Sequence, residues 1–401
     1  MRVPAELSPE ERVRYDRQIR YSGCGETGQL KLKMSRVVVI GAGGLGSAVL
    51  TALVTSGVGH VILYEFDDVS LSNLHRQPLY TTDDVGRPKA QAAYARLRAL
   101  NPNVELTIHE TPLSIETDWE DWGKIDIIID CTDRLSARSL IAACAQKLRI
   151  PHSYASVSGD EGQLALFYPD EPCYRCLVPH LPRGGEILSC DQAGVIGVAP
   201  QLIGVMQAAQ VIHFLLEENM KTRELRGHSE ITHNYKGKSH QFKLGHHQDC
   251  PLCMPVEDPE LIQQQRGRLS SLPLSPLSLA RRLSSGWRPQ LLDVRTEDEF
   301  QREHLLEALN IPIQSLEEWS QSPSGMEISS LNTSVLYSND LVIYCERGPR
   351  AERAAAIIGA LRATSPSKTA SVYELVGGIR SLKEALDLSV SSTLLTTSDP
   401  T

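Results

Sequence analysis

The stretch VVVIGAGGLG, residues 37–46, limits the possible folds more than any other part of this chain. An apolar run that breaks into Gly41, Gly43, Gly44 and Gly46 reads as a buried strand, a tight turn and the start of a helix. Glycines at such a turn let backbone amides approach phosphate oxygens, and the helix N-terminus adds a favourable dipole. Further apolar runs at 61–64, 104–108 and 125–130 alternate with helix-period segments at 89–100 and 136–148. That alternation predicts an α/β domain whose mostly parallel sheet is covered by helices on both faces. Ahead of it, Ser8, Pro9 and Glu11 make a helix-opening signature, with a cap, a first-turn proline and a side chain that reaches back. A helix through Arg17 and Ile19 is expected to follow.

A chain of 401 residues is longer than one compact core usually supports, so a second unit is expected. Residues 1–255 read as the first domain. Residues 256–275 mix Gln, Ser and Pro without a strand and read as a linker. Residues 276–388 read as a second, smaller α/β domain, with buried strands at 291–295 and 341–344 and a helix at 350–361. The Ser/Thr-rich end, 389–401, reads as a disordered tail. With 40 Lys and Arg against 49 Asp and Glu, the net charge of -9 argues against non-specific binding to nucleic acid or anionic membrane. No apolar run is read as long enough to span a bilayer, and no targeting segment is seen, so the expected location is the cytoplasm.

What the glycine turn holds is decided by the residues beyond it. Glu65 closes the second strand at the separation where an acid accepts hydrogen bonds from a ribose diol, which a dinucleotide dehydrogenase would also satisfy. The segment SNLHRQ, Ser72 to Gln77, then brings Asn73 and Arg76, and Lys89 opens the next helix. Hydride transfer has no use for that many cations and amides. A polyphosphate does, because positive side chains must neutralise its charge and stabilise the departing pyrophosphate. Asp133, after the strand IIID, stands at the carboxyl edge of the sheet, where a carboxylate can hold Mg²⁺ against phosphates. A set of solvated loop charges is the bland alternative for any one of these residues.

From Tyr15 to Cys253 the chain resembles the Rossmann-like adenylation domains of ubiquitin-activating-like enzymes, including the bacterial thiamin and molybdopterin adenylyltransferases. The resemblance rests on RYDRQI, GAGGLG, SNLHRQ, GRPKA, DCTD and the paired Cys-x-x-Cys motifs. It implies that ATP lies against Gly44 and the neighbouring Gly41, Gly43 and Gly46, with Glu65 on its ribose. Ser72, Asn73, Arg76 and Lys89, in the segment that also contains Leu74 and His75, would face the triphosphate. Asp133 would bind magnesium beside Arg134, and Arg17 would reach into a neighbouring subunit's site, which implies a homodimer. Two positions depart from the family: Glu65 is one methylene longer than the usual Asp, and Arg134 replaces the usual Asn.

Cys173 and Cys176, with Cys250 and Cys253, form two pairs that can each supply half of a tetrahedral Zn²⁺ site. Such a metal would staple the end of the domain to its middle, a structural role; a redox-active Cys-x-x-Cys is the alternative. Cys190 stands alone in a polar, glycine-containing stretch. A lone cysteine is most often a small buried hydrophobe, but the resemblance implies a nucleophile that takes the activated acyl group as a thioester.

In the second domain Cys345 follows a strand and opens a six-residue loop ending at Arg350, just before a helix. Amides, the helix dipole, Arg347 and Arg350 would all favour a thiolate or persulfide there. A phosphatase loop carries one more residue between Cys and Arg. The pattern Cys-x-x-Gly-x-Arg, with LLDVRTEDEF before it and LVGGI after it, resembles a rhodanese domain, so the resemblance implies that Cys345 carries transferable sulfur as a persulfide. Glu307 stands where that family usually has Gly, and the Trp common after GG is missing.

Joined, the two domains resemble enzymes that activate ubiquitin-related modifiers and serve molybdopterin synthase as adenylyltransferase and sulfurtransferase. The implied partners are a small ubiquitin-like modifier ending in Gly-Gly, the molybdopterin-synthase small subunit, and a cysteine desulfurase or other persulfide donor, with no direct contact to nucleic acid or membrane. The implied outcome is a thiocarboxylate used for wobble-uridine thiolation of transfer RNA, protein conjugation or molybdopterin synthesis. A nicotinamide-dependent oxidoreductase and a non-catalytic modifier-binding module remain the competing classes.

Overall fold

The computed structural model describes residues 6–114, 117, 122–179, 194–217, 228–233, 238–248, 250, 252–253, 271–321, 340–363, 371–387 and 395–397. They fall into two compact units that divide near residue 256.

The first unit is built on an eight-stranded sheet. Its strands are β1 (Arg36–Ile40), β2 (His60–Tyr64), β3 (Glu105–His109), β4 (Ile127–Asp130), β5 (His152–Ser158), β6 (Glu161–Phe167), β7 (His228–His233) and β8 (Lys238–Lys243), in the spatial order β3-β2-β1-β4-β5-β6-β7-β8. The first five of that order pair in parallel, in line with the α/β expectation, and β5 to β8 add an antiparallel extension. Val37, Val38 and Val39 are fully buried, because a parallel strand covered on both faces has no solvent side. Val37, Val39, Val61 and Leu63 pack with helices Gly44–Thr55, Lys89–Leu100 and Val198–Leu216, and each such buried side chain stabilises the fold by about 1.5–3 kcal/mol.

The opening helix forms with the expected capping box: Glu11 N–H donates to Ser8 Oγ at 3.1 Å and Ser8 N–H to Glu11 Oε2 at 2.7 Å. It ends sooner than expected, at Arg14, and a second short helix, Asp16–Arg20, carries Arg17. Tyr15 interrupts it, its ring buried and its hydroxyl accepting from Asn101 Nδ2 at 2.7 Å.

Helix Val198–Leu216 corrects one sequence expectation, since by length and composition it is apolar enough to cross a membrane. Half of that stretch is buried within the domain. Gly204 lets it lie directly on helix Gly44–Thr55: a Cβ there would meet the Leu45 carbonyl oxygen at 2.6 Å. Its length thus serves as a core helix spanning the sheet.

The second unit has a wholly parallel five-stranded sheet of β9 (Ser271–Leu274), β10 (Gln290–Asp293), β12 (Leu309–Asn310), β13 (Leu341–Tyr344) and β14 (Val372–Leu375), ordered β12-β10-β13-β14-β9. Helices Pro276–Ser284, Glu297–Arg302, Ile313–Gln321, Pro349–Ala363 and Gly378–Asp387 complete it. Two expectations are corrected here. Ser271–Leu274, read as the end of a linker, is the edge strand β9; its proline is tolerated because an edge strand has one unpaired side. Leu395–Thr397, within the stretch read as a disordered tail, is strand β15 and pairs antiparallel with β11 (Glu303–Leu305).

Candidate functional site

Strand order reverses between β1 and β4, so their carboxyl ends open a crevice, the place where doubly wound sheets bind ligands. The glycine turn lies on one side of it and residues 131–134 on the other. Gly41 has φ +95°, and a Cβ on it would meet the Cys131 carbonyl oxygen at 3.0 Å, so only glycine lets the two loops come this close. Gly46 is equally constrained, with its Cβ position 2.2 Å from the Gly41 oxygen. A Cβ on Gly43, by contrast, would find nothing nearer than Gln77 Nε2 at 3.7 Å. The turn is therefore closed toward the sheet and open at Gly43, the geometry of a backbone cradle at a helix N-terminus.

Glu65 is buried just beyond β2. Its Oε2 accepts from Ala42 N–H at 2.7 Å and its Oε1 from Asp67 N–H at 2.8 Å, tying the acid to the turn. Burial pushes its pKa up against the pull of Lys89. Lys89, only 4% exposed, lies 3.2 Å from Asp67. Burial opposes its charge, but Asp67 and Glu65 outweigh that and raise its pKa, with Asp133 adding to them. Lys89 thus stands at the first turn of its helix with two carboxylates favouring its charged form. Asp67 carries a single signal in the sequence, its place two residues after the acid.

The SNLHRQ segment leaves a short 3-10 turn, Leu71–Asn73. Arg76 Nη1 donates to the Ser72 carbonyl at 3.0 Å and lies 3.0 Å from His75 Nε2, while the Ser70 and Ser72 hydroxyls are 3.0 Å apart. Gln201 Nε2, from the long helix, donates to the Arg76 oxygen at 2.7 Å and the Gly44 oxygen at 3.1 Å, and so pins this segment to the glycine turn. Nothing local in the sequence signals that bridge.

Asp133 is exposed on the loop after β4, next to Arg134, which precedes helix Leu135–Leu148. The buried Asp130 shapes this loop by accepting from Thr132 N–H at 2.9 Å and Thr132 Oγ1 at 2.7 Å through one oxygen. The structure thus gathers Gly41 to Gly46, Glu65, the Ser72 to Arg76 segment, Lys89 and Asp133 around one crevice. Arg17 is set apart: its side chain is 87% exposed and lies 3.7 Å from Asp16. Cys190 lies outside the described residues.

The four paired cysteines converge although 77 residues separate the partners Cys173 and Cys250. Their sulfurs all lie within 4.8 Å of one another, with Cys173–Cys250 at 3.5 Å, Cys176–Cys253 at 3.3 Å and Cys173–Cys253 at 3.9 Å. These separations suit four thiolates about 2.3 Å from a central Zn²⁺, whose tetrahedral edge is about 3.8 Å, and are too long for disulfides. Contact with Cys173 holds the Cys250 thiol well below the usual range, while burial pushes that of Cys253 up. Four sulfurs this close pose a charge problem that a cation resolves.

In the second unit Cys345 directly follows β13 and is 1% exposed. The Gly348 amide donates to its sulfur at 3.1 Å, and Gly348 adopts φ +108° to do so. Arg350, at the head of helix Pro349–Ala363, forms a two-pronged pair with Glu299 at 2.6 and 2.7 Å. Its positive charge is therefore already matched. Arg347 is exposed. Arg295 links the loop to the sheet through Asp293 at 2.8 Å and Glu346 at 3.1 Å, contacts that the sequence reading missed. Glu307 takes the left-handed conformation, φ +62°, which explains why glycine is usual there.

Comparison with known proteins agrees with both halves. The model of the ThiF family matches residues 15–252 and that of the rhodanese-like domain residues 275–385. The sulfur carrier protein adenylyltransferase of Thermus thermophilus is 39% identical over 61% of this chain and 91% of its own length. The adenylyltransferase and sulfurtransferase MOCS3 of Caenorhabditis briggsae is 31% identical over 88% of this chain and 91% of its own. Among solved structures, Escherichia coli MccB in complex with MccA-N7isoASN shares the fold, with a TM-score of 0.52 at 24% identity over 60% of this chain and 75% of that one. With most of the first unit inside the matched region and the glycine crevice at its centre, the chain belongs to the ThiF family and carries a rhodanese-like domain behind it.

Proposed function

We propose that this protein uses ATP to adenylate the C-terminal Gly-Gly carboxylate of a small ubiquitin-like sulfur carrier and then transfers persulfide sulfur to it, leaving a thiocarboxylate. One observation carries the reading: a single chain holds a backbone cradle ringed by Lys89, Arg76 and Asp133 and a buried cysteine whose sulfur receives an amide at the head of a helix. The relatives' names, a sulfur carrier adenylyltransferase and an adenylyltransferase and sulfurtransferase, point the same way.

The carrier's carboxylate attacks the α-phosphorus of ATP, and pyrophosphate leaves. Lys89 and Arg76 stabilise the charge that gathers on the departing oxygens, in a crevice where desolvation strengthens each contact. Glu65 accepts from the ribose. Asp133 would hold Mg²⁺, which supplies further positive charge at the phosphates. Cys190 takes the acyl group as a thioester and releases AMP. The terminal sulfur of a Cys345 persulfide then attacks the acyl carbon and Cys190 leaves as thiolate; an external thiol attacks the Cys345 sulfur of the resulting acyl disulfide, freeing the thiocarboxylate, and a second equivalent of thiol reduces the disulfide left on Cys345. Cys173, Cys176, Cys250 and Cys253 would hold Zn²⁺ as a structural staple. Arg17, unshielded in one chain, suits a role in a partner subunit's crevice within a homodimer. A cysteine desulfurase or similar persulfide donor would reload Cys345, and the thiocarboxylate would serve transfer-RNA wobble-uridine thiolation, conjugation or molybdopterin synthesis through its small subunit, in the cytoplasm.

Mass spectrometry of a Gly-Gly-ended carrier after incubation with ATP, Mg²⁺ and a persulfide donor tests this. The expected product has one oxygen replaced by sulfur; a carrier left unmodified by the wild-type protein overturns the reading.

A further inference from the structure

Between the four-cysteine cluster and the loop that bears Asp133 lies a continuous set of side chains that no step above uses. Tyr174, fully buried, sits in the short helix Tyr174–Leu177 between Cys173 and Cys176. Its ring packs on Tyr154 at 5.2 Å between centroids, and the Arg138 guanidinium lies over the Tyr154 ring at 5.2 Å. Arg138 Nη2 donates to the Thr132 carbonyl at 2.8 Å. Thr132 is the residue before Asp133, and Asp130 grips its amide and hydroxyl from beneath. Gln207 adds a hydrogen bond to the Asp130 carbonyl at 3.0 Å. The backbone on the N-terminal side of Asp133 is thus held from two sides, by Asp130 through a local turn and by Arg138 from the following helix. The Arg138 arm continues, through Tyr154 and Tyr174, to the cysteine cluster.

We propose that Arg138 is a positioning residue that fixes the Asp133 loop for Mg²⁺·ATP and couples it, through Tyr154 and Tyr174, to the metal state of the four-cysteine centre. The proposal rests on the adenylation reading above. A guanidinium suits the task because its planar fork can hydrogen-bond a carbonyl at its edge while its face stacks on an aromatic ring. A lysine keeps the charge and loses that double engagement. When the four thiolates close around a metal, Tyr174 is clamped between two ligands, and the stack that seats Arg138 is clamped with it.

The test is calorimetric binding of ATP to the full-length protein across a Mg²⁺ series, with bound zinc measured in each sample. In Arg138→Lys the Mg²⁺ concentration for half-maximal ATP affinity should rise about tenfold, within the usual range of coupling between sites. Affinity for ATP in the absence of Mg²⁺ should stay within about twofold, a split that a general loss of structure would not produce. Stripping zinc from wild-type protein should reproduce the tenfold rise, and stripping Arg138→Lys should add nothing to it. Should the stripped protein unfold, Tyr174→Leu with zinc retained is expected to give the same Mg²⁺ shift. An unchanged Mg²⁺ dependence in Arg138→Lys, or shifts from stripping and substitution that simply add, overturns the proposal. Wild-type protein that binds no ATP overturns the adenylation reading and this proposal together.

Discussion

The two units solve one problem in opposite ways. Each runs a buried parallel strand into a loop and a helix N-terminus: β1 into Gly41 to Gly46, and β13 into Cys345 to Arg350. The first loop keeps its own side chains out of the way and recruits chemistry from distant segments, with Lys89 from a helix, Arg76 from a turn and Asp133 from across the switch point. The second carries its reactive atom itself and turns an amide onto it. Their cations differ accordingly. Lys89 meets Asp67 through one contact of 3.2 Å beside the crevice, whereas Arg350 is locked to Glu299 by two bonds as part of the frame. A cradle for an arriving polyanion needs cations at its open edge, and a cradle for a resident sulfur needs stiffness.

Substitutions can break that contrast. The largest effect is expected from Cys345→Ser, which should abolish thiocarboxylate formation, by about a thousandfold or more, while ATP–pyrophosphate exchange persists. Thiocarboxylate formation that survives would move the donor sulfur elsewhere. Lys89→Met should do the reverse, lowering exchange about 10²- to 10³-fold while persulfide loading of Cys345 from a small persulfide stays near wild type. Equal loss of both activities in Lys89→Met would mean that the two cradles are not separable.

A smaller effect tests the frame. Glu299 is held down at about 2, first by its bond from Arg350, against an unfolded value of about 4.3. A depressed carboxylate contributes stability that is present above pH 4.3 and is lost as pH falls toward 2. After screening, the contribution is on the order of 1 kcal/mol. Urea unfolding of the second unit should show that acid loss, and Glu299→Gln should flatten it; an identical pH profile in the variant would remove Arg350 from the frame. The smallest change expected is Glu307→Gly. It should stabilise the second unit by about 0.5–1 kcal/mol, the left-handed strain relieved less the extra entropy glycine loses on folding. A lower thermal midpoint would show that the Glu307 side chain matters more than its backbone.

Much of this was legible in the chain. The strand-turn-helix around Gly41 could be read because apolar periodicity and glycine spacing are local properties, and helix Lys89–Leu100 begins and ends where its pattern does. The misreadings share a cause. Strands β9 and β15 were missed because a short edge strand with Ser, Pro or Thr owes its order to a neighbour rather than to its own composition. Helix Val198–Leu216 was underestimated as an apolar run because its polar residues, such as Gln207, are buried where they hydrogen-bond backbone carbonyls.

By itself the sequence determined the donors and acceptors on offer: which glycines can turn, which cysteines come in pairs, and which cations follow the acid. These depend on residue type and spacing along a few turns. Only the tertiary structure decided how each is spent, with Lys89 against Asp67, Arg350 on Glu299, and Arg138 on the Thr132 carbonyl. The reason is that an ion pair or a hydrogen bond depends on distances of about 3 Å between atoms whose separation along the chain can be any length, and only packing sets those distances.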